Sequence, residues 1–286
     1  MVYCKPTIVF DDEAMLFFFR VFLLCLCASY VSAQEIAITN AGFEDLYQGQ
    51  DVLTGSFPVG APPSGWQRYD LNGASVPGSL VGVLNPGTQA DYDADGAGLS
   101  PCFPGGAPQG DNAALVFKSG PASADEYGIQ QSLTEVLQAG VYTLSVEVGN
   151  IQTCAGLPPG FRSTFNLDGF PGYRIELRAG NQLIAMDNNS LTPPEGQFQT
   201  SNIVVDIQNN HPQLGQNLSI RLVNLSVATG GGHLEVDFDD VRLNFSNAVS
   251  VNDEDVPLPG AFLYLLAGIF LLLGSGAKNY LKKTGY

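Results

Sequence analysis

The sequence predicts an all-β fold, a single antiparallel β-sandwich within a chain of 286 residues. Short apolar or alternating segments are separated by clusters of Gly, Pro, Asn and Asp, which favour turns. The interior shows no convincing apolar repeat of an amphipathic helix. Roughly nine strands in about 220 residues fit one sandwich, because β domains of this kind commonly reach about 200–250 residues.

The strand signal recurs in nine segments along the chain. Residues Val141–Val148 alternate apolar and polar side chains cleanly, as expected of a strand with one buried face. The pair Gly180-Asn181 lies between two strand-like segments and predicts a hairpin. Two long stretches, Phe43–Gln109 and Ile151–Gly172, are predicted to be poor in strands, and such long loops are usually functional or disordered. The predicted strands are Ile36–Ile38, Ala113–Lys118, Gly128–Ser132, Val141–Gly149, Tyr173–Ala179, Asn181–Asp187, Gln197–Asp206, Leu218–Asn224 and His233–Asn244.

Both ends of the chain are predicted to be targeting segments. Met15, the expected start, begins an apolar run that closes on Val31-Ser32-Ala33, which predicts a secretory signal peptide. The segment Val256–Ala277 carries no charge and is long enough for a transmembrane helix, which needs about 20 apolar residues. Three lysines follow it and place the C-terminus inside.

The C-terminal segment also resembles a known class of sorting signal. Its Val-Pro-Leu-Pro start at Val256, its apolar helix and its basic tip are similar to PEP-CTERM tails, which implies an exosortase-type machinery as partner. An ordinary C-terminal membrane anchor is the alternative. The expected organisation is a leader and signal peptide over 1–33, the sandwich over 34–248, and a linker, transmembrane sorting tail and basic tip over 249–286. The domain is therefore expected to be exported to the cell envelope or beyond, anchored unless the tail is processed.

Charge and cysteine content narrow the functional classes. The formal net charge of −16 argues against nucleic acid or anionic lipid as a partner and suits a secreted or cation-binding surface. Removing the leader leaves Cys102 and Cys154, and two cysteines in an oxidising compartment predict one disulfide. A pair of free thiols is the alternative.

The last predicted strand, His233–Asn244, places Glu235, Asp237 and Asp239 opposite an apolar face, with Asp240 directly after them. Together with the opening Asn-Ala-Gly-Phe-Glu that ends at Glu44 and with Gly65-Trp66, this strand resembles galactose-binding-like jelly rolls among carbohydrate-binding modules. The resemblance implies a Ca²⁺ site formed by Glu44, Asp239 and Asp240, since calcium prefers six to eight oxygen ligands. Asp239 and Asp240 can reach one ion only if the strand bulges there.

A narrower resemblance extends through the interior. The segments Pro108–Phe117, Ser145–Asn150, Phe170–Phe198 and Leu214–Asn224 are similar to the Stig cyclases, calcium-dependent enzymes that rearrange and cyclise indole-isonitrile terpenoids. That resemblance implies that Asp237 is the general acid, in a pocket shaped by aromatic residues. Glu235 is expected to face water. The chain departs from the pattern by an inserted acidic segment before Cys102 and by Leu84 at a position where an aromatic residue is expected.

The sequence leaves three functions open. The first is a binding module for an extracellular saccharide, matrix component or other small molecule, with Trp66, Tyr127 and Phe161 as candidate ligand-contacting aromatics. The second is a Stig-type cyclase that uses Asp237. The third is a structural protein of the extracellular matrix. Hydrolase motifs, zinc clusters and phosphate loops are absent from the sequence.

Overall fold

The computed structural model describes residues 33–46, 61–71, 79–87, 101–118, 126–152, 167, 169–226 and 234–247. These residues form eleven β-strands and no helix. The strands are β1 (Gln34–Ile36), β2 (Gln67–Asp70), β3 (Leu80–Leu84), β4 (Ala113–Lys118), β5 (Tyr127–Val136), β6 (Gly140–Asn150), β7 (Tyr173–Ala179), β8 (Gln182–Asn188), β9 (Gln197–Ile207), β10 (Asn217–Asn224) and β11 (Leu234–Ser246).

The strands form two antiparallel sheets. The five-stranded sheet has the order β2-β5-β10-β7-β8, and the six-stranded sheet has the order β3-β4-β11-β6-β9 with β1 added to β11. One edge of β11 is shared, because β4 pairs with its first half from Leu234 to Phe238 and β1 pairs with Leu243–Phe245. The other edge of β11 pairs with β6. The last strand of the sandwich therefore lies at the centre of its sheet.

The main core lies between the two sheets. Alternate residues of β6 and β11 point into it, among them Leu144, Val146, Val236 and Phe238, and they meet the inner faces of β5, β7 and β10. The predicted antiparallel sandwich is confirmed. This packing buries the apolar half of each alternating pattern, which is the main driving force for forming a sandwich.

A second, smaller apolar cluster covers part of the outer face of the six-stranded sheet. Leu84, Leu115 and Phe117 of β3 and β4 point outward, because their neighbours Ala114 and Val116 point into the main core. Side chains from outside the strands lie over them, namely Cys102, Phe103, Ile151 and Leu167, with Leu80 and Phe198 at the margin. Strand β4 is buried on both faces for this reason.

Each of the nine predicted strands is present within a few residues, and the predicted hairpin joins β7 to β8 through Gly180 at φ 56°. The prediction that Phe43–Gln109 is poor in strands was wrong for two segments, since β2 and β3 lie within it. Strand β2 has only four residues and β3 is buried along most of its length, so neither shows a long alternating pattern.

The chain divides into two compact units, Met1–Asn247 and Ala248–Tyr286, and the second lies outside the described residues. The predicted signal peptide, transmembrane segment and sorting tail also lie outside them. Within the described ranges no helix is long and apolar enough to cross a membrane.

Candidate functional site

Strand β11 carries three acidic residues on the outer face of its sheet. Glu235 and Asp237 pair with the outward-facing Phe117 and Leu115 of β4, and Asp239 pairs with Glu147 of β6. All three acids are buried, with exposed fractions of 5 %, 0 % and 0 % in chain order. The expectation that Glu235 faces water was therefore wrong, because the outer apolar cluster covers the part of the sheet where Glu235 lies.

Asp237 lies beneath apolar and aromatic side chains. Its register partners are Leu115 on one side and Gly149 of β6 on the other, and Gly149 in turn pairs with Phe198 of β9. A Cβ atom at Gly149 would lie 2.6 Å from Phe198 Cε1 and 3.0 Å from Phe103 Cζ, so both rings approach the backbone beside Asp237. The glycine thus allows two aromatic rings to pack next to a buried carboxyl group.

The carboxyl group of Asp237 lacks ordinary hydrogen-bond partners. Among the described residues no donor reaches either of its oxygens. Burial raises the pKa of Asp237 well above its usual range, and the adjacent Glu235 carboxyl raises it further. Burial likewise raises the pKa of Glu235. Because two ionised carboxylates offer only acceptors, the pair can form a hydrogen bond only when one of them carries a proton. Such an environment retains a proton near neutral pH.

Asp239 lies in a different environment. Its Oδ2 accepts a hydrogen bond from the backbone N–H of Gln109 at 2.8 Å, and its Oδ1 accepts one from the N–H of Asp240 at 2.7 Å. Burial raises its pKa to about 8, and the charges of Asp240 and Glu44 add to that increase. Asp239 therefore ties β11 to the segment before β4 and lies in the negative field of the other two predicted calcium ligands.

The predicted bulge is present. Asp239 pairs with Glu147 but the next pair is Arg242 with Ser145, so β11 has one extra residue there, and Asp240 has a positive φ of 46°. The extra residue shifts the inside-outside alternation of β11 by one position, so that Val241 rather than Asp240 faces the main core.

The predicted calcium ligands approach one another without surrounding a common point. Glu44 Oε1 accepts hydrogen bonds from the N–H groups of Asp111 and Asn112, both at 2.9 Å, and Asp240 accepts one from Arg242 Nε at 2.7 Å. No group of three or more His, Cys, Asp or Glu side chains is placed to hold a metal within the part of the chain that the structure describes. Backbone oxygens would therefore have to supply part of the coordination, and the calcium site stays a prediction.

Two of the three predicted ligand-contacting aromatics, Trp66 and Tyr127, do not face this site. Trp66 is 4 % exposed, packs on Phe43 with ring centroids 5.4 Å apart, and donates from Nε1 to the backbone oxygen of Asn40 at 3.2 Å. Tyr127 is 1 % exposed in the main core. Both positions are explained by core packing, so neither residue lines the outer face. Phe161 lies outside the described residues.

The predicted disulfide is described at one end only. Cys102 is fully buried in the outer apolar cluster and is disulfide-bonded. Cys154 lies outside the described residues, so the pairing of these two cysteines stays a prediction. A bond at Cys102 would fix the position of the neighbouring Phe103 over the sheet.

A cleft of about 720 Å³ opens beside the outer apolar cluster. It is lined by the segments Pro104–Pro108 and Glu195–Phe198 together with Glu147 and Gln152. Phe198 belongs both to this lining and to the apolar cluster, where its ring centroid lies 4.3 Å from that of Phe103. The cleft therefore adjoins the apolar cluster that lies beside the buried acid.

Four residues of this site were not predicted from the sequence, namely Glu235, Phe103, Gly149 and Phe198. Gly149 and Phe198 have a signal in the pattern, since they follow the alternation of β6 and β9 onto the same face as Asp237. Phe103 lies outside any strand, and no local pattern marks it.

The chain matches the family model described as HpiC1-like, HpiC1 cyclase, over residues 34–244. The Stig cyclase Fisc from Fischerella sp. TAU, solved with (3Z)-3-(1-methyl-2-pyrrolidinylidene)-3H-indole, is 34 % identical, and the match covers 76 % of this chain and 100 % of that one at a TM-score of 0.62. A cyclase from Fischerella sp. TAU is 35 % identical over 77 % of this chain and 100 % of its own, at a TM-score of 0.61. A cyclase from the same organism, in complex with 4-(1H-indol-3-yl)butan-2-one, is 34 % identical, and the match covers 76 % of this chain and 100 % of that one at a TM-score of 0.59.

No curated protein matches the chain. The family match covers well over half of the chain, and the similar solved structures are covered along their entire length. The chain therefore belongs to the HpiC1-like family, the Stig cyclases.

Proposed function

We propose that this protein is a cyclase of an indole-bearing terpenoid substrate and that Asp237 is its general acid. The observation that carries the proposal is the fully buried Asp237 carboxyl group, which lies beside apolar and aromatic side chains. None of the residues that the structure describes donates a hydrogen bond to its oxygens. Family membership and the indole ligands of two similar cyclases support the substrate class.

The proposed reaction is an isomerisation that begins with protonation. Asp237 donates its proton to one carbon of the substrate, an internal double bond or the indole ring closes on the cation that forms, and a proton lost from another carbon returns to the carboxylate. The raised pKa of Asp237 keeps the donor protonated near neutral pH. A buried aromatic face such as that of Phe103 can stabilise the cation through its π electrons while excluding water.

A binding module for an extracellular saccharide, which the sequence favoured first, is less well supported. Similarity to a carbohydrate-binding module in complex with galactotriose is low, with a TM-score of 0.33, and carries no weight for this chain. Trp66 and Tyr127, which were expected to contact a sugar, lie in the core. We retain export, C-terminal anchoring, exosortase-type sorting and a structural Ca²⁺ ion as further proposals that rest on sequence patterns.

Incubation of the purified protein with an indole-isonitrile terpenoid, followed by mass spectrometry and NMR of the products, tests the function. We expect a cyclised isomer of unchanged mass from the wild-type protein. The Asp237→Asn variant should lose at least about two orders of magnitude in rate, the usual contribution of general acid catalysis. A folded Asp237→Asn variant with wild-type turnover would contradict the role of Asp237, and a glycan array with strong specific hits would favour the binding module instead.

A further inference from the structure

The cleft beside the outer apolar cluster has no role in the proton transfer proposed for Asp237. Asp237 is completely buried, so a substrate must reach it by displacing side chains that cover it. The cleft is the described cavity whose lining includes one of those side chains, Phe198. This continuity suggests a direction of approach to the acid.

Two aromatic rings separate the cleft from Asp237. Asp237, Gly149 and Phe198 form one row across β11, β6 and β9, so Phe198 stands two strands away from the acid on the same face. Phe103 packs against Phe198, and the residue after it, Pro104, lines the cleft. No backbone lies between the rings and the Gly149 position, since the ring atoms of Phe198 and Phe103 are the nearest atoms to a Cβ built there. Side chains rather than backbone therefore cover the Gly149 position next to Asp237, and side chains can change rotamer.

The chemistry of the cleft suits an indole. Its charged lining residues are Glu147 and Glu195, and it has no Lys or Arg. One oxygen of each acid is already used, because Glu147 Oε1 accepts from Thr200 Oγ1 at 2.5 Å and Glu195 Oε1 accepts from the N–H of Gly169 at 2.8 Å. An indole N–H is a donor without acceptor capacity, and its flat ring can stack on an aromatic face. Gly105, which lines the cleft, has no atom within 4 Å of a Cβ position, so the cleft is not filled at that point.

We propose that the indole-bearing substrate enters through this cleft, stacks on Phe198, and reaches Asp237 by displacing the Phe103–Phe198 pair. The inference rests on the proposed cyclase function and adds its access route. Phe198 is then a residue that controls access, whereas Asp237 performs the chemistry. The side chain at position 198 should therefore alter the rate of ligand entry more than it alters the proton transfer.

Stopped-flow binding of 4-(1H-indol-3-yl)butan-2-one tests the route, with the fluorescence of the probe's indole as signal. The chain has a single tryptophan, buried Trp66, which keeps the protein background low. We expect Phe198→Ala to raise the association rate constant by about tenfold and Phe198→Leu, which keeps an apolar side chain of intermediate size, to raise it by a smaller factor, within the range by which association rates vary among variants of one site. Val204→Ala is the matched control, because Val204 lies on the same face of β9 and is 66 % exposed.

The outcomes separate the two proposals. A wild-type protein that binds the probe, with association rates unchanged in both Phe198 variants, would refute the route and leave the cyclase function intact. A wild-type protein that neither binds the probe nor cyclises substrate would refute both. A Val204→Ala rate as altered as that of Phe198→Ala would also overturn the route, since the effect would not depend on the Phe103–Phe198 pair. Circular dichroism melting curves of all variants check that each is folded.

Discussion

Replacing Asp237 with asparagine should make the protein more stable while removing its proposed activity. The Asp237 carboxyl group is buried without a described donor and faces a second buried acid, Glu235. A buried polar group without a partner costs about 1–3 kcal/mol. Asparagine has nearly the same shape, stays neutral without having to hold a proton that the unfolded chain releases, and can donate an N–H to Glu235. We therefore expect the free energy of unfolding to increase by roughly 1–3 kcal/mol at pH 7.5.

The expected gain is large enough to measure by differential scanning calorimetry. For a domain of this size, about 1 kcal/mol shifts the melting temperature by roughly 2–4 °C, so the variant should melt about 2–12 °C higher than the wild type. Asp206→Asn, at an exposed residue of β9, is the control and should change the melting temperature little, since surface substitutions usually stay within about 0.5 kcal/mol.

The pH dependence gives a second check on the same variant. Because the pKa of Asp237 is higher in the folded than in the unfolded state, its carboxyl group destabilises the fold progressively as pH rises above about 4. The difference in melting temperature between the variant and the wild type should therefore widen from pH 5 to pH 8. A variant that melts at or below the wild-type temperature at pH 7.5, or a difference that does not grow with pH, would refute the description of Asp237 as an uncompensated buried acid.

Two further substitutions test other parts of the structure. In EDTA the wild-type melting temperature should fall as pH rises from about 4 to about 8, because folding raises the pKa of Asp239 to about 8, and Asp239→Asn should flatten this fall. Added calcium should raise the wild-type melting temperature at pH 8. No response to calcium would argue against the predicted calcium site. Glu176→Gln should lower the free energy of unfolding, measured by urea denaturation, by about 3 kcal/mol, because Glu176 is buried and ion-paired with three arginines of β7 and β10. Glu35→Gln, at an exposed position, is the control and should have little effect. An equal loss in both glutamine variants would contradict the importance of that ion-pair network.

The alternating strands were predictable because one buried face leaves a period of two in the sequence. Val141–Val148 and the last strand show it clearly, and the hairpin at Gly180 adds a turn that only a few residue types adopt easily. Strand β3 escaped prediction because most of its residues are buried, and a short apolar run does not distinguish strand from loop or core.

The site was predictable in part. The alternation of β11 placed Asp237 opposite the core, but it could not tell whether that outer face is covered or solvated. Cover comes from Phe103 and other side chains that are distant in sequence and outside the strands, so Glu235 was expected to be exposed and proved to be buried. Aromatic residues near loops, such as Trp66, were equally ambiguous, because the same side chain can pack in the core or contact a ligand.

The central position of β11 has a consequence for biosynthesis. This strand is the last of the sandwich to be synthesised, yet β1, β4 and β6 all hydrogen-bond to it. Until Ser246 has left the ribosome, the six-stranded sheet cannot close, and β4 and β6 present unpaired edges that invite aggregation. Chains truncated before Leu234 should therefore be captured by chaperones or precipitate. Because Asp237 lies on β11, the proposed general acid is added to the chain with the same strand that completes the fold.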